Sequence, residues 1–243
     1  MKKVNLFFVL FFFSIFFSTI EAKEISLSSF IDQIVQTTQN SCSSSIPIVA
    51  IGGCPGVGKT YFTKMLATLL QQRKINCYIL ALDHFNLPLQ ERKKIGTEWD
   101  IRHFRSDELH HVLQLIKQNK IFFQKPICNQ LTGEIKEETV DLSQIDVILF
   151  DGLYTLCTHN PIHFFSYADI GIFIDANEKD IYQWKWEREQ KKSQPRNGDE
   201  FAKHMEAILT DYKKNIAYTK KSAHFIITKD SSHQYLIEEH VNK

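Results

Sequence analysis

The segment from Gly53 to Thr60 reads G-C-P-G-V-G-K-T, which is the spacing of a phosphate-binding loop. Backbone N–H groups of a glycine-rich turn at a helix N-terminus point inward and carry the positive end of the helix dipole, so they bind phosphate oxygens. In this pattern the lysine reaches the outer phosphates and the threonine hydroxyl binds Mg²⁺. The predicted nucleotide-binding residues are Gly53, Cys54, Pro55, Gly56, Val57, Gly58, Lys59 and Thr60.

The residues on either side of this loop have the patterns that it needs. The preceding run IPIVAIG (46–52) is apolar and rich in branched side chains, which favours a buried strand. The following run TYFTKMLATLLQQRK (60–74) has helical periodicity. Strand, turn and helix therefore follow one another in the order of a working phosphate loop.

Four further apolar runs alternate with helical or mixed segments. They are NCYILAL (76–82), DVILFDG (146–152), DIGIFIDA (169–176) and HFIIT (224–228). Short, wholly apolar strands that alternate with helices indicate a parallel sheet covered on both faces. We predict a three-layer, doubly wound α/β fold with a helical lid. Ligands bind such sheets beyond the carboxyl ends of the strands.

Three of these strand ends carry an acid: Asp83, Asp151 and Asp175. Asp151 has the position of the acid that helps to hold Mg²⁺ in phosphate-loop proteins, directly or through water. Asp83 can lie across the sheet from the phosphates, where a carboxylate accepts the proton of an attacking hydroxyl group. Asp175 has no assigned role.

A charged segment, EKDIYQWKWEREQKKSQPR (178–196), is a candidate lid. Such a run is usually a solvated helix face, but phosphoryl transfer also uses mobile cations that offset the charge of the transferred group. Arg188 and Arg196 are the best candidates for catalysis, together with Lys59, because a guanidinium fork matches phosphate oxygens.

Composition favours a small-molecule ligand. The 243 residues are 43% hydrophobic and 23% charged, which is ordinary for one α/β core. The net charge of +1 gives no basic surplus for a nucleic-acid partner. The five cysteines have no zinc-like spacing, which argues against a metal centre of that kind and against a disulfide scaffold. A homo-oligomer is left open.

The N-terminus predicts a signal or membrane anchor over residues 1–22. Lys2 and Lys3 precede an apolar run rich in phenylalanine, which gives a membrane contact through residues 4–20. Residues 23–45 read as a lead-in helix and a Ser-rich linker, and residues 46–243 as the main domain. A leader conflicts with the need for nucleotide, which is scarce outside the cytoplasm. The segment is a retained anchor, the protein enters another compartment that contains nucleotide, or the true start lies downstream.

Several segments together resemble the uridine kinase and phosphoribulokinase family of phosphate-loop kinases. Besides the loop, they are DHF (83–85), GTEWD (96–100), PICNQLTGEIKEETV (126–140), LFDGLY (149–154) and ERE (187–189). The resemblance covers roughly residues 46–240. It implies that Asp83 is the catalytic acid, that Asp151 is the metal-binding acid and that Arg188 and Arg196 belong to the lid. It also places Phe85 and Asp100 with Asp83 at the substrate.

Departures from the family pattern concern the substrate. Where uridine kinases carry a tyrosine and a histidine that help to fix the nucleoside, this chain has Cys128 and Gly133, and Asn86 replaces a further tyrosine. The resemblance therefore disfavours uridine or cytidine and leaves a sugar, a sugar phosphate or a pantothenate-like alcohol.

Three hypotheses follow. The first is a kinase that uses ATP and Mg²⁺ to phosphorylate a small-molecule hydroxyl group. The second is an ATPase or nucleotide switch without an acceptor, and a GTPase is disfavoured because the N-K-x-D pattern is missing. The third is an exported binding protein that keeps the fold without the chemistry. The presence of Lys59, Thr60, Asp83 and Asp151 weighs against the third hypothesis.

Overall fold

The computed structural model describes residues 22–40, 45–95, 101–129, 132–159 and 162–240. Nine strands are present in these residues. They are β1 (Ala22–Ile25), β2 (Ile48–Gly53), β3 (Cys77–Ala81), β4 (Phe122–Cys128), β5 (Ile135–Asp141), β6 (Val147–Asp151), β7 (Ile170–Ala176), β8 (Phe225–Lys229) and β9 (Tyr235–His240). Seven of them form one sheet in the order β1-β9-β8-β7-β2-β6-β3, and β4 pairs with β5 in a separate hairpin.

The five predicted apolar strands form the parallel centre of this sheet. They correspond to β2, β3, β6, β7 and β8, and every pairing among them is parallel. All residues of β2 and β6 are buried, because helices cover both faces. The predicted doubly wound fold is confirmed.

Six α-helices connect the strands in the described part of the chain. They are α1 (Leu27–Asn40), α2 (Lys59–Gln72), α3 (Leu89–Ile95), α4 (Ser106–Lys117), α5 (Glu178–Gln190) and α6 (Gly198–Asn215). The connection from β2 through α2 to β3 runs toward one edge of the sheet, and that from β7 through α5 and α6 to β8 runs toward the other. Right-handed crossovers in opposite directions place their helices on opposite faces.

The lead-in helix exists, but it is not separate from the main domain. In α1, Phe30 is fully buried and its ring contacts those of Phe62 and Phe225. Strand β1 extends the sheet by pairing antiparallel with β9. Residues 22–40 therefore share the core with the strands that follow residue 46, and the domain boundaries stay a prediction. The sequence shows an amphipathic helix, but it does not show which surface that helix covers.

Most of the predicted leader lies outside the described residues, as do residues 41–44 of the Ser-rich linker. Over the part of the chain that the structure describes, no helix combines the length and the apolar character needed to cross a membrane. The leader and its membrane contact remain predictions.

Candidate active site

The phosphate loop connects β2 to α2 at the centre of the sheet. Gly53 has a φ of 135°, and a Cβ atom there would collide with the backbone carbonyl of Ile174, so only glycine fits this turn. Lys59 begins α2, and its Nζ donates to the carbonyl oxygens of Gly53 (3.2 Å) and Cys54 (3.0 Å). The ammonium group thus lies over the loop.

Cys54 is structural in this loop. Its side chain is fully buried, and burial raises the pKa of the thiol to about 12, although the charges of Lys59 and Lys185 act in the opposite direction. The thiol stays protonated at neutral pH and is a poor nucleophile. This agrees with a small residue that fills a tight turn.

Thr60 and Asp151 form the second part of the site. The Thr60 hydroxyl donates to Oδ2 of Asp151 at 2.7 Å. Asp151 ends β6, where its backbone pairs with both Ile51 and Ala81, so the parallel register carries its carboxylate to the loop. The two predicted metal-binding residues are adjacent.

The carboxylate of Asp151 suits a divalent cation. The residue is only 6% exposed, and its Oδ1 is buried without a hydrogen-bond partner among the described residues. Burial raises the pKa of Asp151, although Lys59, the Thr60 hydroxyl and Lys64 lower it. A buried carboxylate oxygen next to a hydroxyl group is the oxygen ligand chemistry that Mg²⁺ prefers.

Asp83 lies in a 3₁₀ turn, Leu82–Phe85, directly after β3. Because Ala81 pairs with Asp151, the turn begins beside the predicted metal-binding acid. Asp83 as a residue is exposed, and its carboxyl group is close enough to Lys59, Asp151 and Arg92 to interact with their charges. Partial burial raises the pKa of Asp83, and Lys59 opposes this rise. The carboxylate is therefore close to Lys59 of the phosphate loop, at the end of a strand that β6 separates from β2.

Phe85, which the family resemblance places at the substrate, is packed in the core, and its role at the substrate stays a prediction. Phe85 is fully buried in the hydrophobic core, since the 3₁₀ turn directs its side chain inward. Asn86, which is also buried, donates from its backbone (3.3 Å) and from Nδ2 (2.9 Å) to the carbonyl oxygen of Asp83. These two residues hold the turn that presents Asp83. Asp100 lies outside the described residues, and its role stays a prediction.

The two predicted lid arginines have different surroundings. Arg188 is exposed on α5. Arg196 instead contacts Glu189, which is buried, through its backbone N–H (3.1 Å) and through Nη1 (3.1 Å to Oε2). Lys192 donates to the same carboxylate at 2.7 Å. The guanidinium of Arg196 thus pairs with Glu189 across the connection between α5 and α6 in this conformation. The catalytic roles of Arg188 and Arg196 stay predictions.

Glu189→Gln is expected to destabilise the protein by about 1–3 kcal/mol at pH 7, because a buried charged acceptor is lost. Burial raises the pKa of Glu189, but the bonds from Lys192 and Arg196 and their charges bring it down from 4.5 to about 2. A lowered folded-state pKa stabilises the fold above pH 4.5, and this contribution disappears as the pH falls toward 2.

Urea unfolding at several pH values measures this effect. The difference between the wild type and Glu189→Gln should shrink below pH 4.5. The control is Glu187→Gln, which removes an exposed carboxylate from the same helix. Equal stability of the two variants at pH 7 would show that the ion pair contributes nothing.

Two cations beside the loop were not selected from the sequence. The alkyl chain of Lys185 lies over Gly56, where an added Cβ atom would be 2.6 Å from Lys185 Cδ. Lys229 ends β8, and its Nζ is 4.0 Å from the centre of the Trp184 ring and borders Gly58. The sequence contained an indication for each of these two lysines. Lys185 is three residues before Arg188 on one helix face, and Lys229 is a polar residue at a strand end.

The sheet order, the loop after its central strand and the acid at the end of β6 define a phosphate-loop nucleotide-binding fold. A model of the phosphoribulokinase / uridine kinase family matches residues 48–235, and the chain belongs to this family. The resemblance read from the sequence is confirmed.

Known relatives and structures agree with this assignment. The pantothenate kinase of Haemophilus influenzae is 26% identical over an alignment of 218 residues, which covers 77% of this chain and 70% of that protein. The pantothenate kinase of Listeria innocua is 24% identical over an alignment of 149 residues, which covers 58% of this chain and 49% of the relative. The chain thus spans about half the length of several curated relatives that it matches. The structure of D-glycerate 3-kinase from Cryptococcus neoformans superimposes with a TM-score of 0.66 at 13% identity, covering 88% and 98% of the two chains, and supports the fold alone.

Proposed function

We propose that this protein is an ATP-dependent kinase that transfers the γ-phosphoryl group to a hydroxyl group of a small molecule. The hydroxyl oxygen attacks the γ-phosphorus, the bond from that phosphorus to the β-phosphate oxygen breaks, and ADP leaves. The hydroxyl proton passes to the Asp83 carboxylate. The phosphate chemistry of such a reaction depends mainly on positioning and on charge stabilisation.

The position of Asp83 is the observation that carries this proposal. Asp83 follows β3 directly, and its carboxylate is near Lys59 of the loop and Asp151. An acid in this place can orient a hydroxyl group and accept its proton. Lys59 and the loop amides would bind the phosphates, and Arg188 and Lys185 on α5 would add positive charge above them.

Thr60 and Asp151 would hold Mg²⁺, which when bound neutralises phosphate charge. Asp151→Asn is therefore expected to weaken the Mg²⁺-dependent part of ATP binding by about 10-fold or more. Calorimetry of a non-hydrolysable ATP analogue with and without Mg²⁺ measures this. Asp146→Asn is the control, because Asp146 is exposed at the other end of the same strand. Equal Mg²⁺ dependence in the two variants would contradict the assignment.

Measuring ADP formation with a panel of acceptors tests the function itself. Pantothenate and D-glycerate come first, since relatives and a structural neighbour carry these names, and sugars, sugar phosphates and nucleosides follow. We expect at least one acceptor to raise ADP formation well above the rate without acceptor. Fast hydrolysis that no acceptor accelerates would favour an ATPase. Absence of nucleotide binding in the presence of Mg²⁺ would favour a non-catalytic protein.

A further inference from the structure

Two arginines, one in the segment that follows the Asp83 turn and one in the segment that pairs with it, have unfilled hydrogen-bonding capacity. Arg92, on α3, donates through Nε to the carbonyl oxygen of Leu87 at 3.0 Å. Its Nη2 is buried and has no partner among the described residues. Burying a guanidinium N–H without an acceptor is unfavourable, so this position is suited to an anion that the described residues do not supply.

Arg105 approaches the same place from a different segment. Residues 85–87 pair with residues 103–105, through bonds from Arg105 N to Phe85 O (2.7 Å) and from Leu87 N to His103 O (2.7 Å). Arg105 pairs through Nη1 with Oε1 of Glu108 at 3.0 Å. The buried Nε of Arg105 has no partner in the described part of the chain. This pairing brings two cations together that are 13 residues apart in sequence.

Cys128 lies close to both of these arginines. Its thiol is buried and 3.8 Å from the carbonyl oxygen of Leu87, the same oxygen that accepts from Arg92. Burial raises the pKa of the Cys128 thiol, and the charges of Arg92 and Arg105 both lower it. Arg92 also acts on Asp83. The two guanidinium groups therefore lie close to one thiol, and Arg92 is also close to Asp83.

We infer that Arg92 and Arg105 form a subsite for an anionic group, a carboxylate or a phosphate, on the acceptor alcohol. Among the described residues, Asp83, which is assigned to the hydroxyl group, is close to Arg92, and Glu108 pairs with one nitrogen of Arg105. A guanidinium fork binds carboxylate and phosphate oxygens in pairs, and a neutral alcohol cannot replace those contacts. The inference rests on the proposed kinase function, because it assigns the substrate class of the same site.

Matched acceptor pairs test this subsite. Calorimetry in the presence of Mg²⁺ and a non-hydrolysable ATP analogue compares pantothenate with pantothenol, D-glycerate with glycerol, and ribose 5-phosphate with ribose. We expect the charged member of at least one pair to bind about 10- to 100-fold more tightly than its neutral partner. A preference in the first two pairs identifies a carboxylate, and a preference in the third identifies a phosphate.

Substitutions test whether Arg92 and Arg105 cause the preference for charged acceptors. Arg92→Gln and, separately, Arg105→Gln should remove most of the preference, and Arg92→Lys should keep part of it because it retains the charge. Binding of the ATP analogue and the thermal midpoint report whether each variant is folded. Lys93→Gln removes an exposed charge from the same helix and should leave the preference unchanged.

The outcomes separate the subsite from the kinase. If the neutral acceptors bind as tightly as the charged ones, or if no acceptor binds, the subsite is refuted. A preference that survives both glutamine variants refutes it as well. Charged acceptors that bind through Arg92 but are never phosphorylated would refute the kinase and leave the subsite in place.

Discussion

Replacing Asp83 by asparagine is expected to lower kcat by about 100- to 10,000-fold, the usual range for a lost general base. Asparagine keeps the size and much of the hydrogen bonding of the side chain, but it cannot take the hydroxyl proton. The affinity for ATP should stay within about twofold, because the phosphate contacts come from the loop. Steady-state kinetics with the best acceptor, together with calorimetry of nucleotide binding, measures both quantities.

The pH dependence gives a second readout of the same residue. Asp83 must be deprotonated to act, and its surroundings raise its pKa above the ordinary value of 3.8. Activity of the wild type should therefore fall on the acidic side at a pH above the usual aspartate range, and the residual activity of Asp83→Asn should lack this step. Asp107→Asn, which removes an exposed carboxylate from α4, is the control. Undiminished turnover in Asp83→Asn would refute the assigned base.

The Lys59→Met variant should lose at least about 100-fold in kcat/KM, because the ammonium group stabilises charge that develops on the transferred phosphoryl group. The thermal midpoint should rise at the same time. Burial lowers the pKa of Lys59 although Asp151, Cys54 and Asp83 raise it, so the folded state on balance disfavours the charged form. A neutral side chain of similar length removes that unfavourable term.

Thermal unfolding and kinetics of the same preparation measure both effects. Lys74→Met is the matched control, since it removes an exposed charge just after the same helix. We expect this variant to keep its activity and its thermal midpoint. A Lys59→Met protein that is less stable than the wild type would mean that the bonds of Nζ to the loop carbonyls outweigh its desolvation.

Sequence patterns predicted the central features because these features are local. A phosphate loop is contiguous from Gly53 to Thr60, and each buried strand of a parallel sheet is an unbroken apolar run. Since a strand must end where its apolar run ends, Asp83 and Asp151 could be placed at the same edge of the sheet before any coordinates. Their closeness follows from the register that pairs Ala81 with Asp151.

Tertiary structure decided the features that depend on irregular segments. Phe85 belongs to the core because a 3₁₀ turn follows β3, and periodicity does not encode the direction of a side chain in such a turn. Arg196 meets Glu189 across the connection between two helices.

The convergence of Arg92, Arg105 and Cys128 was equally hidden from the sequence. It depends on a short pairing between residues 85–87 and 103–105 and on the hairpin of β4 and β5, which brings Cys128 to the same carbonyl oxygen as Arg92. Sequence thus determined that this chain carries a phosphate-loop pattern at the centre of a parallel sheet. Only the folded chain decided which charges come together beside the Asp83 turn, because contacts between distant irregular segments leave no periodic pattern in a sequence.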